Sequence, residues 1–207
     1  LEEHRVEETE AGRRSRSIPG WDVGRIKRLG ADGVKVLAWY RPDAAEAVRA
    51  HQHDYVREVG AACAAHDIPF ILELLVYPFL DSAGHHADYA EDPAKQAHLV
   101  VESVRRFAAP EFGVDLFKLE CPVPAASLDG DGAKAAFAAL AEATGGRPWG
   151  MLSAGAPPDR VVRVLEAAHA AGALTGRLAR PVVPAAPDRS GITREGDFVA
   201  AVPALGQ

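Results

Sequence analysis

At 207 residues a single chain can bury a core of its own, which excludes the small scaffolds that depend on disulfide or metal staples. Hydrophobic residues at 48%, charged residues at 25% and a net charge of -6 at pH 7 are ordinary globular values, and they argue against a nucleic-acid partner. No apolar run has the length of a membrane span and no signal peptide is visible, so membrane partners are not expected either.

In chain order, Leu1 to Val6 reads as the end of a strand. Arg13-Arg14-Ser15-Arg16 reads as a solvated turn or an anion contact, and Trp21 to Leu29 as a short helix. Gly33 to Tyr40 is a strand, Ala44 to His66 a long Ala-rich helix, and Pro69 to Tyr77 the next strand. A polar loop through His85-His86 leads to a helix from Pro93 to Ala108, then a strand at Asp115 to Cys121 and a helix at Gly132 to Thr144. Pro148 to Ser153 is a strand, Asp159 to Ala171 a helix, and Ala173 to Leu178 a last short strand. The strands are apolar almost throughout, as expected where both faces of a parallel sheet are covered. Repeated βα units without a Gly-rich phosphate loop favour an α/β barrel over a nucleotide-binding doubly wound sheet. Residues 1–180 read as this array; 181–207, with four prolines and no helical period, read as a poorly ordered tail.

The chemistry is concentrated in three of these strands. Only five of the 23 Lys+Arg are lysines, and two of the five, Lys35 and Lys118, fall inside apolar strands. Strand parity puts Lys35 with Leu37 and Trp39, Glu73 with Ile71, Leu75 and Tyr77, and Lys118 with Leu116 and Glu120. A cation in such a run needs a partner or a task. One reading is a buried salt-bridge network that fixes register, though such networks seldom improve on apolar packing. The other is Schiff-base chemistry, because a desolvated lysine amine near a second cation can lose its proton and attack a carbonyl. Lys118 is then the nucleophile, Lys35 the second cation and Glu73 the group that shuttles protons.

The other candidates carry less. His51-x-His53, His66, His85-His86 and His169 lack the converging spacing of a zinc site, so no metal is expected. His4 lies beside two carboxylates at a strand end. Trp39 and Tyr40 suit a sugar pocket as well as a core or rim, and Glu120 either pairs with Lys35 or Lys118 or simply ends its strand. Cys63 and Cys121 occupy unlike contexts and read as free thiols of a reducing cytoplasm.

Four segments in order, Gly30 to Lys35, Asp67 to Glu73, Phe117 to Pro122 and Leu152 to Gly155, resemble the class I tagatose-1,6-bisphosphate aldolase family, which includes enzymes acting on a sulfofructose 1-phosphate. The resemblance runs from about Leu1 to Arg177. It implies a (β/α)8 barrel and a cytoplasmic lyase without external cofactor, acting on a phosphorylated sugar and able to form homo-oligomers. Lys118 falls on the Schiff-base lysine, Glu73 on the acid/base glutamate and Lys35 on the second active-site lysine. Ser153, Gly155, Gly176 and Arg177 fall on the phosphate-binding loops, whose backbone N–H groups and guanidinium suit an anion. The family's first βα units and its C-terminal covering helix have no counterpart, so an open array of about five to six βα units is expected. The alternatives are another phosphosugar or sulfosugar lyase or epimerase on the same barrel, and a non-catalytic truncated remnant.

Overall fold

The computed structural model describes residues 1–3, 6–80, 97–124, 127–128, 130–153 and 156–173. Its elements in chain order are β1 (Glu7–Thr9), β2 (Gly12–Arg14), α1 (Val23–Arg28), β3 (Val34–Trp39), α2 (Glu46–Ala65), β4 (Phe70–Leu75), α3 (Ala97–Phe107), β5 (Leu116–Leu119), α4 (Asp131–Ala143), β6 (Trp149–Met151) and α5 (Pro158–Ala170), with a 3-10 turn at Pro110–Phe112. β3, β4, β5 and β6 pair in parallel in sequence order, each step crossing over through a helix. That is the singly wound order of a (β/α) barrel and not of a doubly wound sheet, whose order reverses.

Alternation gives this sheet two unlike faces. Val34, Val36, Ala38, Phe70, Leu72, Leu74, Phe117, Leu119, Trp149 and Met151 are all buried and form the hydrophobic core together with the helices. Lys35, Leu37, Trp39, Ile71, Leu116 and Gly150 are only half-buried on the opposite, barrel-inner face. Helix α2 contributes a stripe of Val48, Gln52, Val56, Val59 and Cys63, each about one helical turn from the next. Helix α3 adds Val100, Val104 and Phe107, and Ser103 Oγ donates back to Leu99 O over 2.6 Å instead of seeking water. Asp115 Oδ2 accepts the Phe70 N–H at 2.8 Å and so pins the start of β5 beside the start of β4.

The N-terminal segment differs from the expected barrel-strand end. β1 and β2 form an antiparallel hairpin, and residues 1–3 extend the pairing, with Glu2 bridged to Ser17 and Glu3 N–H donating to Arg16 O at 2.8 Å. The run Arg13–Arg16 is likewise not a solvated turn. Arg13 is 1% exposed; its Nε donates to Glu8 Oε1 at 2.6 Å and its guanidinium lies 4.4 Å over the Trp39 ring. Parallel-sheet reasoning did not anticipate the hairpin, because a three-residue strand leaves almost no hydrophobic period to read. The expected strand from Ala173 to Leu178 beyond its first residue, the 181–207 tail and the start of α3 at 93–96 lie outside the described residues.

Two positions make the packing testable. The backbone of α2 runs so close to the turn before β5 that a Cβ at Gly60 would sit 2.0 Å from Phe112 O. Gly60→Ala gains about 1 kcal/mol of helix propensity, but it must push a backbone carbonyl aside, a displacement of the kind that costs about 1–3 kcal/mol. The expected outcome is a net fall in the unfolding midpoint, read by urea titration. The second position is His53, which packs between Tyr40, Phe107 and Phe112 and lies 3.0 Å from Tyr40 OH. Burial first, then the Arg106, Arg57 and Arg49 guanidinium groups, pushes its pKa from 6.5 down to about 4. Between those values the unfolded chain binds the extra proton, so this contribution to stability is complete above pH 6.5 and is lost as pH falls towards about 4. His53→Gln should therefore show a smaller change in urea midpoint between pH 7 and pH 4 than the parent; equal changes would remove His53 from the pH response.

Candidate functional site

Sheet register brings the charged residues together. Glu73 lies directly opposite Lys118 across the β4–β5 pair, and Lys118 lies opposite Gly150 across β5–β6. Directly opposed side chains share a face about 5 Å apart, which is within reach for a glutamate and a lysine. Glu73 Oε1 is 3.1 Å from Lys118 Nζ, and Glu73 Oε2 is 3.1 Å from Lys35 Nζ. Lys35 Nζ is also 2.5 Å from Glu2 Oε1. The result is a chain of alternating charges, Lys118–Glu73–Lys35–Glu2, running across the inner face. Its two ends differ in solvation: Lys118 is 4% exposed and Glu73 5%, whereas the Lys35 side chain keeps 33% of its surface.

The electrostatics follow from that gradient. Burial works to lower the pKa of Lys35, but the Glu2 and Glu73 carboxylates outweigh it and leave the ammonium above its usual value. Lys35 is therefore a standing cation. Lys118 meets a carboxylate that is already divided between two lysines, inside a dry strand. The Cβ that Gly150 lacks would meet no atom of the described residues within 4 Å, so among them there is open space beside the Lys118 strand on the amine's side of the sheet. A strand glycine that packing does not require is typical of places where a ligand comes close to the backbone.

The remaining predicted residues take varied places. Ser153 follows β6; Leu152 N–H donates to Leu119 O at 2.8 Å and Ala156 N–H to Ser153 O at 2.9 Å. Gly155, Gly176, Arg177, His4, His85 and His86 lie outside the described residues. Glu120 Oε1 accepts the Val76 N–H at 2.6 Å, so its carboxylate ties the end of β4 to β5. Trp39 stands edge-on to Tyr77 with Arg13 over its ring, and the Arg13 N–H donates to Tyr77 OH at 3.0 Å. Tyr40 joins the His53 cluster on the helix side, away from the charged face. Cys63 and Cys121 are both buried, and burial, with Asp115 adding to it, pushes the Cys63 thiol up to about 11. Among the described residues no three His, Cys, Asp or Glu side chains converge as metal ligands. Sequence reasoning missed Glu2 and Arg13. Glu2 carried no signal of its own, since its contact with Lys35 spans 33 residues.

A family model described as DeoC/LacD family aldolase matches residues 7–179. Tagatose 1,6-diphosphate aldolase of Lactococcus lactis subsp. lactis is 36% identical over 163 residues, which cover 74% of this chain and 49% of that relative. Tagatose 1,6-diphosphate aldolase 1 of Enterococcus faecalis is 33% identical over 170 residues, or 78% of this chain and 51% of the relative. The chain thus spans about half the length of the curated relatives it matches. A solved Schiff-base-forming fructose-1,6-bisphosphate aldolase superposes with a TM-score of 0.55 at 18% identity, covering 77% of this chain and 54% of that one, and an archaeal fructose 1,6-bisphosphate aldolase does so with a TM-score of 0.52. Those two likenesses establish the α/β barrel-type fold. With the family model matching most of its residues, this chain belongs to the DeoC/LacD aldolase family.

Proposed function

We propose that this chain carries the chemical centre of a class I aldolase, which cleaves a ketose bisphosphate such as tagatose 1,6-bisphosphate to dihydroxyacetone phosphate and an aldehyde. The observation that carries this reading is the buried contact of 3.1 Å between Lys118 Nζ and Glu73 Oε1, with Glu73 held in turn by Lys35. The names of the curated relatives support the choice of sugar.

The chemistry follows from the groups at hand. Glu73 takes a proton from the Lys118 ammonium, and the freed amine attacks the ketone carbon of the substrate to give a carbinolamine. Glu73 returns the proton to the departing oxygen, and water leaves as the imine forms. The protonated imine withdraws the electron pair of the bond between its α and β carbons, which becomes the C=C of an enamine. As that bond breaks, the hydroxyl on the β carbon passes its proton to the Glu73 carboxylate and becomes the aldehyde. Protonation of the resulting enamine and hydrolysis release dihydroxyacetone phosphate and regenerate Lys118. Because the imine is the electron sink, no step needs a metal. Lys35, half-exposed beside the pair, offers a fixed positive charge to an anionic substrate group. Ser153, Gly155, Gly176 and Arg177 are the proposed seat of the distal phosphate, after the strand that ends at Met151.

Two outcomes test the reading, both in the intact protein. Incubation with dihydroxyacetone phosphate followed by borohydride should leave a reduced adduct on Lys118, located by peptide mass spectrometry; Lys118→Arg keeps the charge but cannot condense, so it should give neither adduct nor turnover. Absence of any adduct would favour a lyase or epimerase that uses Lys118 only as a charge. Glu73→Gln is close to isosteric and should leave substrate binding near normal while slowing turnover at least about 10²-fold, the usual effect of losing a general acid/base. An unchanged kcat in that variant would take Glu73 out of the mechanism.

A further inference from the structure

We propose that Glu2 is a positioning residue of this site, holding the Lys35 ammonium in place against Glu73 so that Lys35 stays a cation and Lys118 is the amine that reacts. The inference rests on the Schiff-base reading above and adds to it the means by which one of two neighbouring lysines is selected.

Both lysines lie on the inner face and share a single carboxylate, Glu73. Either amine, once deprotonated, could attack a carbonyl placed between them. Lys35 has a second carboxylate within reach, Glu2. Glu2 Oε1 lies 2.5 Å from Lys35 Nζ, and the Glu2 side chain is only 15% exposed, so the pair is partly shielded from solvent and from screening by salt. The contact is built into the backbone. Glu2 is bridged to Ser17, Glu3 N–H donates to Arg16 O at 2.8 Å, and Leu1 N–H donates to Lys35 O at 3.0 Å. These contacts lay the segment along the edge of β3 and aim the Glu2 carboxylate across at the lysine.

The groups around Lys35 come from every neighbouring element. Glu73 faces it from β4, with Lys118 of β5 behind Glu73. Glu2 faces it from the N-terminal segment, where the Leu1 amino group is 3.3 Å from Glu2 Oε2. Tyr55 of α2 faces both Glu2 and Lys35, but burial pushes it up to about 12, with Glu2 adding to the rise and the Ser17 hydroxyl and Lys35 opposing it, so it stays neutral. For Lys35 itself burial is the largest influence and acts to remove the proton; Glu2 is the larger of the two carboxylate effects that oppose it. Without Glu2, Lys35 loses the larger of the two carboxylate effects that oppose its desolvation. Lys35 then becomes easier to deprotonate, and Glu73 is drawn towards it and away from Lys118.

The experiment compares the parent protein with Glu2→Gln and Glu2→Asp, using two readouts. The first is titration of Lys35 by NMR of 13C-labelled lysine, assigned with Lys35→Arg; it needs no turnover. Glu2→Gln should lower the midpoint for Lys35, and Glu2→Asp should restore part of the shift. The second is borohydride trapping with dihydroxyacetone phosphate across pH. The parent should label Lys118 alone, whereas Glu2→Gln should label Lys118 about tenfold more slowly, the scale expected for one link of a charged network, and should begin to label Lys35 at alkaline pH. An unmoved Lys35 titration overturns the hold of Glu2 on Lys35. A lowered titration with unchanged rate and site of labelling overturns its role in choosing the reactive amine. No adduct in the parent overturns the Schiff-base reading, and the role assigned to Glu2 with it, while the titration still reports whether the pair exists.

Discussion

The structure around the site depends on a single carboxylate. Glu73 sits in the middle of an apolar strand, almost fully buried, and each of its two oxygens meets a different lysine at 3.1 Å. A lone charge in that position would cost several kcal/mol. Two cations supplied by the flanking strands offset the cost, and they do so only if β3, β4 and β5 keep their register. A slip of one residue in either pair would turn a charge into the hydrophobic core. The same arrangement that makes the carboxylate tolerable also puts the amine of the proposed nucleophile against the proposed proton acceptor. Stability and chemistry thus make one demand on the sheet.

The two faces of the sheet divide the work. The helix side is dry and closely packed, with Phe70, Leu72, Phe117 and Leu119 among its fully buried residues, and it holds the strands rigidly enough for contacts of this size to persist. The approach of α2 at Gly60 to the turn before β5 shows how little slack there is. The inner side is looser and polar, with half-buried lysine and open space at Gly150. A reactive site needs such asymmetry: rigid support beneath the groups, and room above them for a ligand.

The N-terminal hairpin adds a second layer of control. It buries Arg13 between Glu8 and the rings of Trp39 and Tyr77, so the inner-face aromatic that could have stacked on a sugar instead carries one of the protein's own cations. Through the segment before it, the hairpin also brings Glu2 to Lys35. Residues far apart in sequence thus meet at the lysine that borders the proposed reactive pair.

The strand and helix order was legible from composition and periodicity, because strands buried by helices read as continuous Val, Leu, Ile and Phe. Parity within each strand was equally legible, and it put Lys35, Glu73 and Lys118 on faces that the register then joined. Other features were not open to sequence reasoning. The fate of Glu120, which binds the Val76 N–H, depends on how far β4 extends past its last ladder pair. The burial of Arg13 depends on a hairpin whose strands are three residues long. The link from Glu2 to Lys35 depends on a loop returning to the sheet edge. By itself, then, the sequence determined which residues lie in the strands of the parallel sheet, β3 to β6, and which face each occupies, because both follow from local period and burial. Only the tertiary structure decided which charges meet, because contact across 33 or 45 positions is fixed by register and packing and leaves no mark on the local pattern.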